Sequence, residues 1–325
     1  MRRVARKNLL QKQRATFLTR GRGRIGKATV AQQLLAKPDS SVCVIRKVGG
    51  IGDVLMLTPT LREIKRRWPA CELTFAIDMH TTGEGVYEQL VRNCPFVDHL
   101  IDARYVMHGK YDMTWDASAV CLRYERKGLP AINRIDLFAR AAGIGSMANR
   151  LPFCQVEEQE RQWAQVKHGH TRTVFLHTAS NEDKRCWPVE HCLELVRACQ
   201  DMPVRFLVMD FNGKYQGWNK EPNCTDVSRC SVREMAALIQ QAEVFIGPDS
   251  GPMHIAGALG CKSIVLFGSI PPAARINHYP SHQAITSNAA CAPCWYNKCP
   301  YDVKCMKDIT VQMVENELRR ITNET

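Results

Sequence analysis

The amino-acid sequence predicts an α/β protein in which two Rossmann-like domains face a cleft, preceded by a basic N-terminal arm. Two observations predict the domains. Short apolar segments alternate with segments of helical character, which is the βαβ rhythm of a parallel sheet. This rhythm stops over residues 144–172, a polar and charged stretch, and then restarts. We therefore expect an arm over residues 1–40, a first domain over 41–165 and a second domain over 166–325.

The arm carries the excess positive charge of the protein. Residues 1–38 contain eleven Lys or Arg and no Asp or Glu, whereas the rest of the chain has 33 basic and 32 acidic residues. An arm of this kind attracts polyanions such as nucleic acid, anionic lipid or phosphorylated saccharide. A solvated tail and an organelle transit peptide are the alternatives. The sequence shows no apolar run of membrane-spanning length and no secretory signal. We therefore expect neither a transmembrane helix nor secretion.

The first domain begins with a strand over residues 42–46, where four of the five residues are apolar. This strand runs into three glycines, and a helix is predicted behind them over residues 53–68. The remaining elements alternate in the same way. They are strands over 73–78, 98–102 and 112–118 and helices over 85–93 and 132–142.

The second domain restarts the alternation with a strand over residues 174–179. Pro188 suits the first turn of the next helix, where its missing N–H costs no helical hydrogen bond. Ser231 is a typical N-cap for a later helix. The predicted elements are helices over 188–200, 232–242 and 252–259 and strands over 204–210, 244–249 and 263–268.

A glycine-rich turn, Gly49, Gly50 and Gly52, joins the first strand to the first helix. Such a turn lets a ligand approach the backbone and the free N–H groups at the start of a helix. It matches neither GxGxxG nor a P-loop. No acidic residue at the end of the second strand clearly marks a ribose site, and Asp78 is the nearest candidate, so a nicotinamide dehydrogenase is poorly supported. Asp53 is either a helix N-cap or a carboxylate in the crevice, where it could accept a proton from an attacking hydroxyl.

A second strand, turn and helix unit spans residues 246–260. Asp249, Ser250 and Gly251 form its turn, and the N-terminus of the following helix points at the crevice. Free N–H groups and a hydroxyl suit a diphosphate. His254 lies in the first helical turn, where it either contacts the ligand or has a purely structural role.

A third segment, residues 177–188, follows the first strand of the second domain. Thr178 and Ser180 offer hydroxyls and Lys184 offers a mobile cation. Together they could neutralise a departing diphosphate. An ordinary charged surface loop is the alternative.

These three segments resemble the family 9 glycosyltransferases, the group of bacterial lipopolysaccharide heptosyltransferases. The matching stretches are RKVGGIGDVLMLTPTLREIKRRWP, then Thr-x-Ser-x-x-x-Lys with a trailing Trp-Pro, then GPDSGPMHIAGALGCKSIVLFG. Their order and spacing fit over roughly residues 42–320. The resemblance implies a GT-B fold, with a nucleotide-diphosphate sugar held mainly by the C-terminal domain and an acceptor held mainly by the N-terminal domain.

The resemblance also implies residue roles. Asp53 matches the general base, Lys184 matches the lysine that binds the donor phosphates, and Ser180 stands where a phosphate-contacting hydroxyl is usual. Position 179 is Ala where these enzymes often have a second Thr, so one hydroxyl contact is missing there. The donor-binding turn and the His that follows it match Asp249, Ser250, Gly251 and His254. The implied reaction is a direct displacement with inversion.

Four cysteines cluster near the C-terminus: Cys291, Cys294, Cys299 and Cys305. A C-x₂-C pair followed by two more cysteines is adequate for a tetrahedral thiolate site, and the spacing leaves zinc and iron both open. Disulfides and free thiols are the alternatives. We expect no catalytic cofactor, since no open-site His or carboxylate pattern accompanies the cluster. The other eleven cysteines are scattered, mostly in apolar segments, which is typical of buried thiols in a reducing compartment.

We therefore expect an inverting glycosyltransferase with an ADP-heptose-like donor and an acidic saccharide or lipid-linked acceptor. It would be cytoplasmic, with the arm allowing peripheral contact with the inner membrane. The same transfer onto a hydroxylated base of DNA, bound through residues 1–38, is a second hypothesis. A non-catalytic protein that binds nucleotide sugars is a third. The sequence leaves the oligomeric state open.

Overall fold

Two parallel sheets form the framework of the protein. The computed structural model describes residues 28–80, 85–125, 132–168, 171–294 and 298–323. The strands are β1 (Ser41–Arg46), β2 (Glu72–Ile77), β3 (His99–Asp102), β4 (Met113–Asp116), β5 (Arg172–His177), β6 (Val204–Met209), β7 (Cys224–Asp226), β8 (Val244–Pro248), β9 (Ser263–Phe267) and β10 (His282–Thr286). The first sheet has the order β3-β2-β1-β4 and the second has the order β10-β9-β8-β5-β6-β7, with parallel pairing throughout. The predicted α/β class with two Rossmann-like sheets is confirmed.

Helices connect most of the consecutive strands, as expected for parallel pairing. They are α1 (Val30–Ala36), α2 (Ile51–Arg67), α3 (Val86–Val91), α4 (Val120–Glu125), α5 (Arg134–Ala141), α6 (Glu158–His168), α7 (Val189–Ala198), α8 (Val232–Gln241), α9 (Gly251–Leu259), α10 (Lys304–Lys307) and α11 (Val311–Asn323). Ser231 caps α8 as predicted, accepting the Glu234 N–H. Within the described ranges, no helix is both long and apolar enough to cross a membrane.

The sequence prediction placed the basic arm over residues 1–40, but the end of that segment belongs to the folded body. The helix α1 buries Val30 and Leu34 completely, and the Ala31 N–H donates to the Ala142 carbonyl at 2.9 Å. The buried apolar side chains attach this helix to the folded body, although the segment predicted as the arm is basic. Residues 1–27 lie outside the described part of the chain.

The two halves of the chain pack against each other through helices. One hydrophobic cluster includes Val44 and Leu55 from the first half and Met253 and Ile255 from the second. The start of α2 meets the start of α9, and α6 lies against α8. The glycine-rich turn and the Asp249 turn are therefore brought to the same junction.

Strand order reverses between β1 and β4 in the first sheet and between β5 and β8 in the second. In open α/β sheets, ligands bind beyond the carboxyl ends of the strands at such switch points. Each of the three predicted motifs directly follows one of these strands: β1, β5 or β8. The topology thus places all of them where a ligand is expected.

Candidate active site

Asp53 lies in the first turn of α2, at the junction of the two halves. The N-cap of this helix is Gly50, and Asp53 lies at the third helical position, where it completes a capping box. Its carboxylate accepts the Gly50 N–H through Oδ2 at 3.0 Å, so Asp53 helps to cap the helix without being the N-cap residue. The other oxygen, Oδ1, lies 2.6 Å from Arg134 Nη1 and 3.1 Å from Arg46 Nη2. Asp53 is a carboxylate held by two cations at the edge of the first sheet.

The electrostatic surroundings keep Asp53 ionised. Burial by itself would raise the pKa of Asp53, because it disfavours the charged form. Arg134, Arg46, the Gly50 N–H and Arg275 outweigh burial and hold that pKa far below its usual range. The side chain is therefore an ionised carboxylate, the form that can accept a proton.

Two glycines of the first motif are required by close contacts. Gly49 has a φ of +121°, and a Cβ there would lie 2.5 Å from Asp53 Oδ2. A Cβ on Gly52 would lie 2.3 Å from Cδ2 of His254. Gly50 is different, since a Cβ there meets nothing within 4 Å. The turn thus lets the carboxylate and the second half of the protein approach the backbone closely.

Asp249 occupies the matching position at the end of β8. Its Oδ2 lies 3.2 Å from Arg185 Nη1 and 3.5 Å from Arg275 Nε, and the residue is almost fully buried. Burial opposes ionisation, but Arg275 and Arg185 lower the pKa of Asp249 below its usual range. Arg275 and Arg134 act on the carboxylates of both Asp53 and Asp249. The two predicted acidic residues therefore share one cluster of arginines.

The helix α9 begins just after Asp249 and leaves its first turn without a side-chain cap. Ser250 is its N-cap residue, and no side-chain hydrogen bond is made to the helix. The Ser250 Oγ is buried and has no hydrogen-bond partner among the described residues. Unsatisfied N–H groups and a hydroxyl at a helix N-terminus are the groups that an anion can bind.

His254 packs into the junction rather than facing open solvent. Its Nδ1 lies 2.8 Å from the Tyr279 hydroxyl, and its ring lies against Gly52. Burial, which disfavours the imidazolium, lowers the pKa of His254 to about 3 although Asp249 opposes this. The neutral ring joins the two motifs, which gives it at least a structural role.

The predicted segment 177–188 is only partly turned toward this cluster. Thr178 is buried and its hydroxyl donates to the Met209 carbonyl at 3.5 Å, so it points into the second sheet. The Ser180 hydroxyl donates to the Asp249 carbonyl at 3.4 Å. Lys184 lies in a 3₁₀ turn, Asp183–Arg185, with its Nζ 3.3 Å from Glu182. Ser180 and the turn of Lys184 thus adjoin Asp249, while Thr178 supports the strand.

Sequence reasoning missed the arginines. Arg46 ends an otherwise apolar strand just before the glycine turn, which is a signal that could have been used. Arg185 is the neighbour of a predicted residue. Arg134 and Arg275 carry no local signal, because only the tertiary fold brings them to the two carboxylates. Two hollows of about 360 and 520 Å³ lie elsewhere, along α6 and α7, and do not include these residues.

The four clustered cysteines lie near one another at the edge of the second half. Burial, followed by the thiols of Cys291, Cys294 and Cys299, raises the pKa of Cys305. The Cys299 Sγ accepts the Val303 N–H at 3.3 Å. No three His, Cys, Asp or Glu side chains are arranged to hold a metal ion in the described ranges, which omit residues 295–297 inside this loop.

The family model for glycosyltransferase family 9 (heptosyltransferase) matches residues 115–304, more than half of the chain. The chain belongs to glycosyltransferase family 9. Lipooligosaccharide heptosyltransferase 2 from Campylobacter jejuni subsp. jejuni serotype O:6 (strain 81116) is 29% identical over 109 residues. That alignment spans 32% of this chain and only 34% of the relative's length.

Solved structures show that this family 9 protein shares the fold of other members. The E. coli ADP-heptose LPS heptosyltransferase II has a TM-score of 0.67 at 16% identity, over 88% of this chain and 100% of that chain. A family 9 glycosyltransferase from Veillonella parvula has a TM-score of 0.68 at 15% identity, over 88% of this chain and 98% of that one. The iron-containing dodecameric glycosyltransferase TibC from enterotoxigenic E. coli has a TM-score of 0.66 at 15% identity, over 88% and 80%. The predicted GT-B architecture is thereby confirmed.

Proposed function

We propose that this protein is an inverting glycosyltransferase that moves a heptose-like sugar from a nucleotide-diphosphate donor to a hydroxyl of an acidic saccharide acceptor. The observation that carries the proposal is the junction itself, where Asp53 of one half and the Asp249 turn of the other share Arg134 and Arg275. ADP-heptose is the donor class we favour, because related solved structures are of WaaC with ADP-2-deoxy-2-fluoro heptose and of TibC with ADP-D-beta-D-heptose.

The proposed reaction is a single displacement at the anomeric carbon. The acceptor oxygen forms the new bond as the bond from the anomeric carbon to the phosphate oxygen breaks, and the diphosphate leaves with the electron pair. Asp53 takes the hydroxyl proton. A weak base is sufficient, because the acceptor oxygen becomes strongly acidic as it bonds to the anomeric carbon. Positioning and charge neutralisation supply most of the rate enhancement.

The donor diphosphate would lie at the start of α9. Ser250 offers a buried hydroxyl without a partner among the described residues, and the first N–H groups of α9 are free of side-chain caps. Ser180 and Lys184 lie on the adjoining turn, where a cation would stabilise the departing charge. Thr178 would act indirectly by supporting that turn.

We assign the acceptor to residues 41–165 and the donor to residues 166–325, with Gly49, Gly50 and Gly52 forming the acceptor-side wall at Asp53. A phosphorylated or carboxylated saccharide fits the arginines at this wall. A lipid-linked acceptor would bring the protein to the surface of the inner membrane, where the cations of residues 1–27 favour anionic headgroups.

The proposal is tested by Asp53→Asn, with ADP-heptose as donor and a truncated lipopolysaccharide core as acceptor. We expect transfer to fall by about 10²–10⁴-fold, the usual contribution of a general base. ADP-heptose should still raise the melting temperature, since the donor site is intact. Lys184→Gln is the complementary variant and should weaken that thermal stabilisation. Unchanged transfer by Asp53→Asn would exclude its role as base.

Two other functions remain distinguishable hypotheses. Transfer to DNA predicts a salt-sensitive gel shift with duplex DNA that is lost when residues 1–27 are removed. A non-catalytic binding protein predicts donor binding without turnover by the unmodified protein. The comparisons support neither, as they match heptosyltransferases.

We further propose that Cys291, Cys294, Cys299 and Cys305 hold a structural zinc or iron ion. The thiols of Cys291, Cys294 and Cys299 lie close enough to Cys305 to raise its pKa, and this proximity supports the proposal. A thiolate set would stabilise the loop without taking part in sugar transfer. Elemental analysis of the purified protein should find about one zinc or iron per chain, and Cys291→Ser with Cys294→Ser should remove it. Metal-free protein that retains its melting temperature would contradict this.

A further inference from the structure

Two arginines contact the same oxygen of the Asp53 carboxylate. Arg134 Nη1 and Arg46 Nη2 lie 2.6 and 3.1 Å from Oδ1. The second oxygen, Oδ2, accepts one hydrogen bond, from the Gly50 N–H at 3.0 Å. A carboxylate oxygen has two lone pairs, so Oδ2 keeps one acceptor position within the described structure. The two oxygens of Asp53 are therefore not equivalent.

Arg46 is anchored in a way that fixes its position. Its Nη1 donates to the carbonyls of Ala117 and Ser118 at 2.9 and 3.0 Å, and its side chain is 4% exposed. The guanidinium also lies over the Phe138 ring, 5.3 Å from the centroid. Arg46 thus ties the end of β1 to the residues after β4 and presents one N–H group to Asp53.

Arg134 approaches Asp53 from a different element. It is the first residue of α5, and its side chain is 16% exposed. Among the described residues, Arg275 and the neutral ring of His254 also act on Asp53 from the packed elements. Arg46 and Arg134 make the direct charged contacts, so together with the Gly50 N–H they determine the orientation of the carboxylate.

We propose that Arg46 and Arg134 are positioning residues for the base: they fix Oδ1 and leave Oδ2 for the acceptor hydroxyl. This inference rests on the proposed role of Asp53. Both cations hold the pKa of Asp53 down, so no acidic limb from this residue should appear in the pH profile of the unmodified enzyme. Removing one cation should raise that pKa, so that activity then falls at low pH as Asp53 becomes protonated.

The test compares Arg134→Gln, Arg134→Lys and Arg46→Lys with a control of equal charge change, Arg197→Gln. Arg197 lies on α7, pairs with Glu221 at 2.8 Å and is not part of the proposed site. For Arg134→Gln we expect kcat to fall about tenfold or more while KM for ADP-heptose changes less than about twofold. Arg134→Lys should restore part of kcat, and Arg197→Gln should behave like the unmodified enzyme. Arg46→Lys keeps the positive charge but loses the planar guanidinium, which contacts Asp53 and the two carbonyls at the same time. Its kcat should therefore fall with little change in the pH profile.

A substrate-free measurement keeps the inference falsifiable. The titration of Asp53 is followed by ¹³C NMR of carboxyl-labelled aspartate, with Asp53→Asn identifying the resonance. Arg134→Gln should move the midpoint upward by about 1–3 pH units, the usual effect of one close cation. An unmoved midpoint, or a pH profile that stays unchanged while only the melting temperature falls, overturns the inference. Full activity in Asp53→Asn would instead overturn the proposed function, and the arginine roles with it.

Discussion

At the scale of single residues, Gly49 decides whether Asp53 can be held at all. A Cβ at this position would lie 2.5 Å from Asp53 Oδ2 and 2.7 Å from Arg46 Nη2, and the φ of +121° disfavours any L side chain. The next glycine, Gly50, has open space around its missing Cβ. Two adjacent glycines therefore have different reasons to be there.

This contrast gives a matched pair of variants. Gly49→Ala should displace the Asp53 carboxylate from Arg46, and we expect a loss of transfer of about 10²-fold or more, because a misplaced base loses most of its contribution. Gly50→Ala leaves the contact between Asp53 and Arg46 in place, so it should lose much less transfer than Gly49→Ala. It should cost only a few tenths to about 1 kcal/mol of stability, since Ala is a poorer N-cap than Gly. Initial rates and melting curves of the two variants test this. Equal activities would show that the contact at position 49 is unimportant.

Individual residues also show how much of the candidate site could be predicted from the sequence. The glycines and Asp53 were predictable because strand, turn and helix chemistry are local. Arg134 and Arg275 were not, since their partners are 81 and 26 positions away along the chain and only the fold unites them. Thr178 is the opposite case. The sequence predicts it as a site residue because it lies in the motif, but its hydroxyl points into the second sheet.

At the scale of elements, strongly apolar segments were predicted well and polar or short ones were not. The eight predicted strands are present, and their ends differ by about two residues from the prediction. The helix α6 lies inside the predicted break because only Ala164 on it is buried, so its apolar stripe is too thin to recognise. The strand β10 is an edge strand with no fully buried residue. The helix α11 has a clear helical period, Val311, Val314, Leu318 and Ile321, which sequence analysis could have used.

The contact between α2 and α9 is the element-scale feature that assembles the site. A Cβ on Gly251 would lie 2.8 Å from the Ile51 Cβ, which cannot rotate away. Gly251→Ala should gain up to about 1 kcal/mol in helix propensity, but overpacking costs about 1–3 kcal/mol, so we expect net destabilisation. Separation of the helices should also weaken the thermal stabilisation by ADP-heptose.

Gly145→Ala is the control for this prediction, because a Cβ at Gly145 meets nothing within 4 Å. Urea unfolding of both variants, with and without ADP-heptose, gives the two free-energy differences. If Gly251→Ala were as stable as Gly145→Ala and bound ADP-heptose equally well, the two helices would not be tightly coupled.

At the scale of the whole molecule, the two sheets are joined into one body by ion pairs as well as by the shared core. Arg233 of α8 pairs with Glu160 of α6 and donates to the Gln89 carbonyl of α3 at 3.2 Å. His278 of the second half lies 2.8 Å from Asp136 of the first. These contacts link the half that carries Asp53 to the half that carries Asp249, so a change in the angle between the halves would change the distance between base and donor.

The whole molecule also separates a charged arm from a folded body, and the structure places the boundary within the segment predicted as arm. Ten of the eleven cations of residues 1–38 precede residue 28, while Val30 and Leu34 are core residues.

Removal of residues 1–27 should therefore lower the salt concentration at which the protein elutes from heparin and leave the melting temperature unchanged. Removal of residues 1–38 should also lose the burial of two aliphatic side chains, about 1.5–3 kcal/mol each, and lower the melting temperature clearly. Because Thr29 and Gln32 form the capping box of α1, the shorter truncation keeps that helix intact. Equal melting temperatures for the two truncations would show that α1 adds nothing to the fold, and unchanged heparin elution would show that the arm is not the polyanion-binding segment.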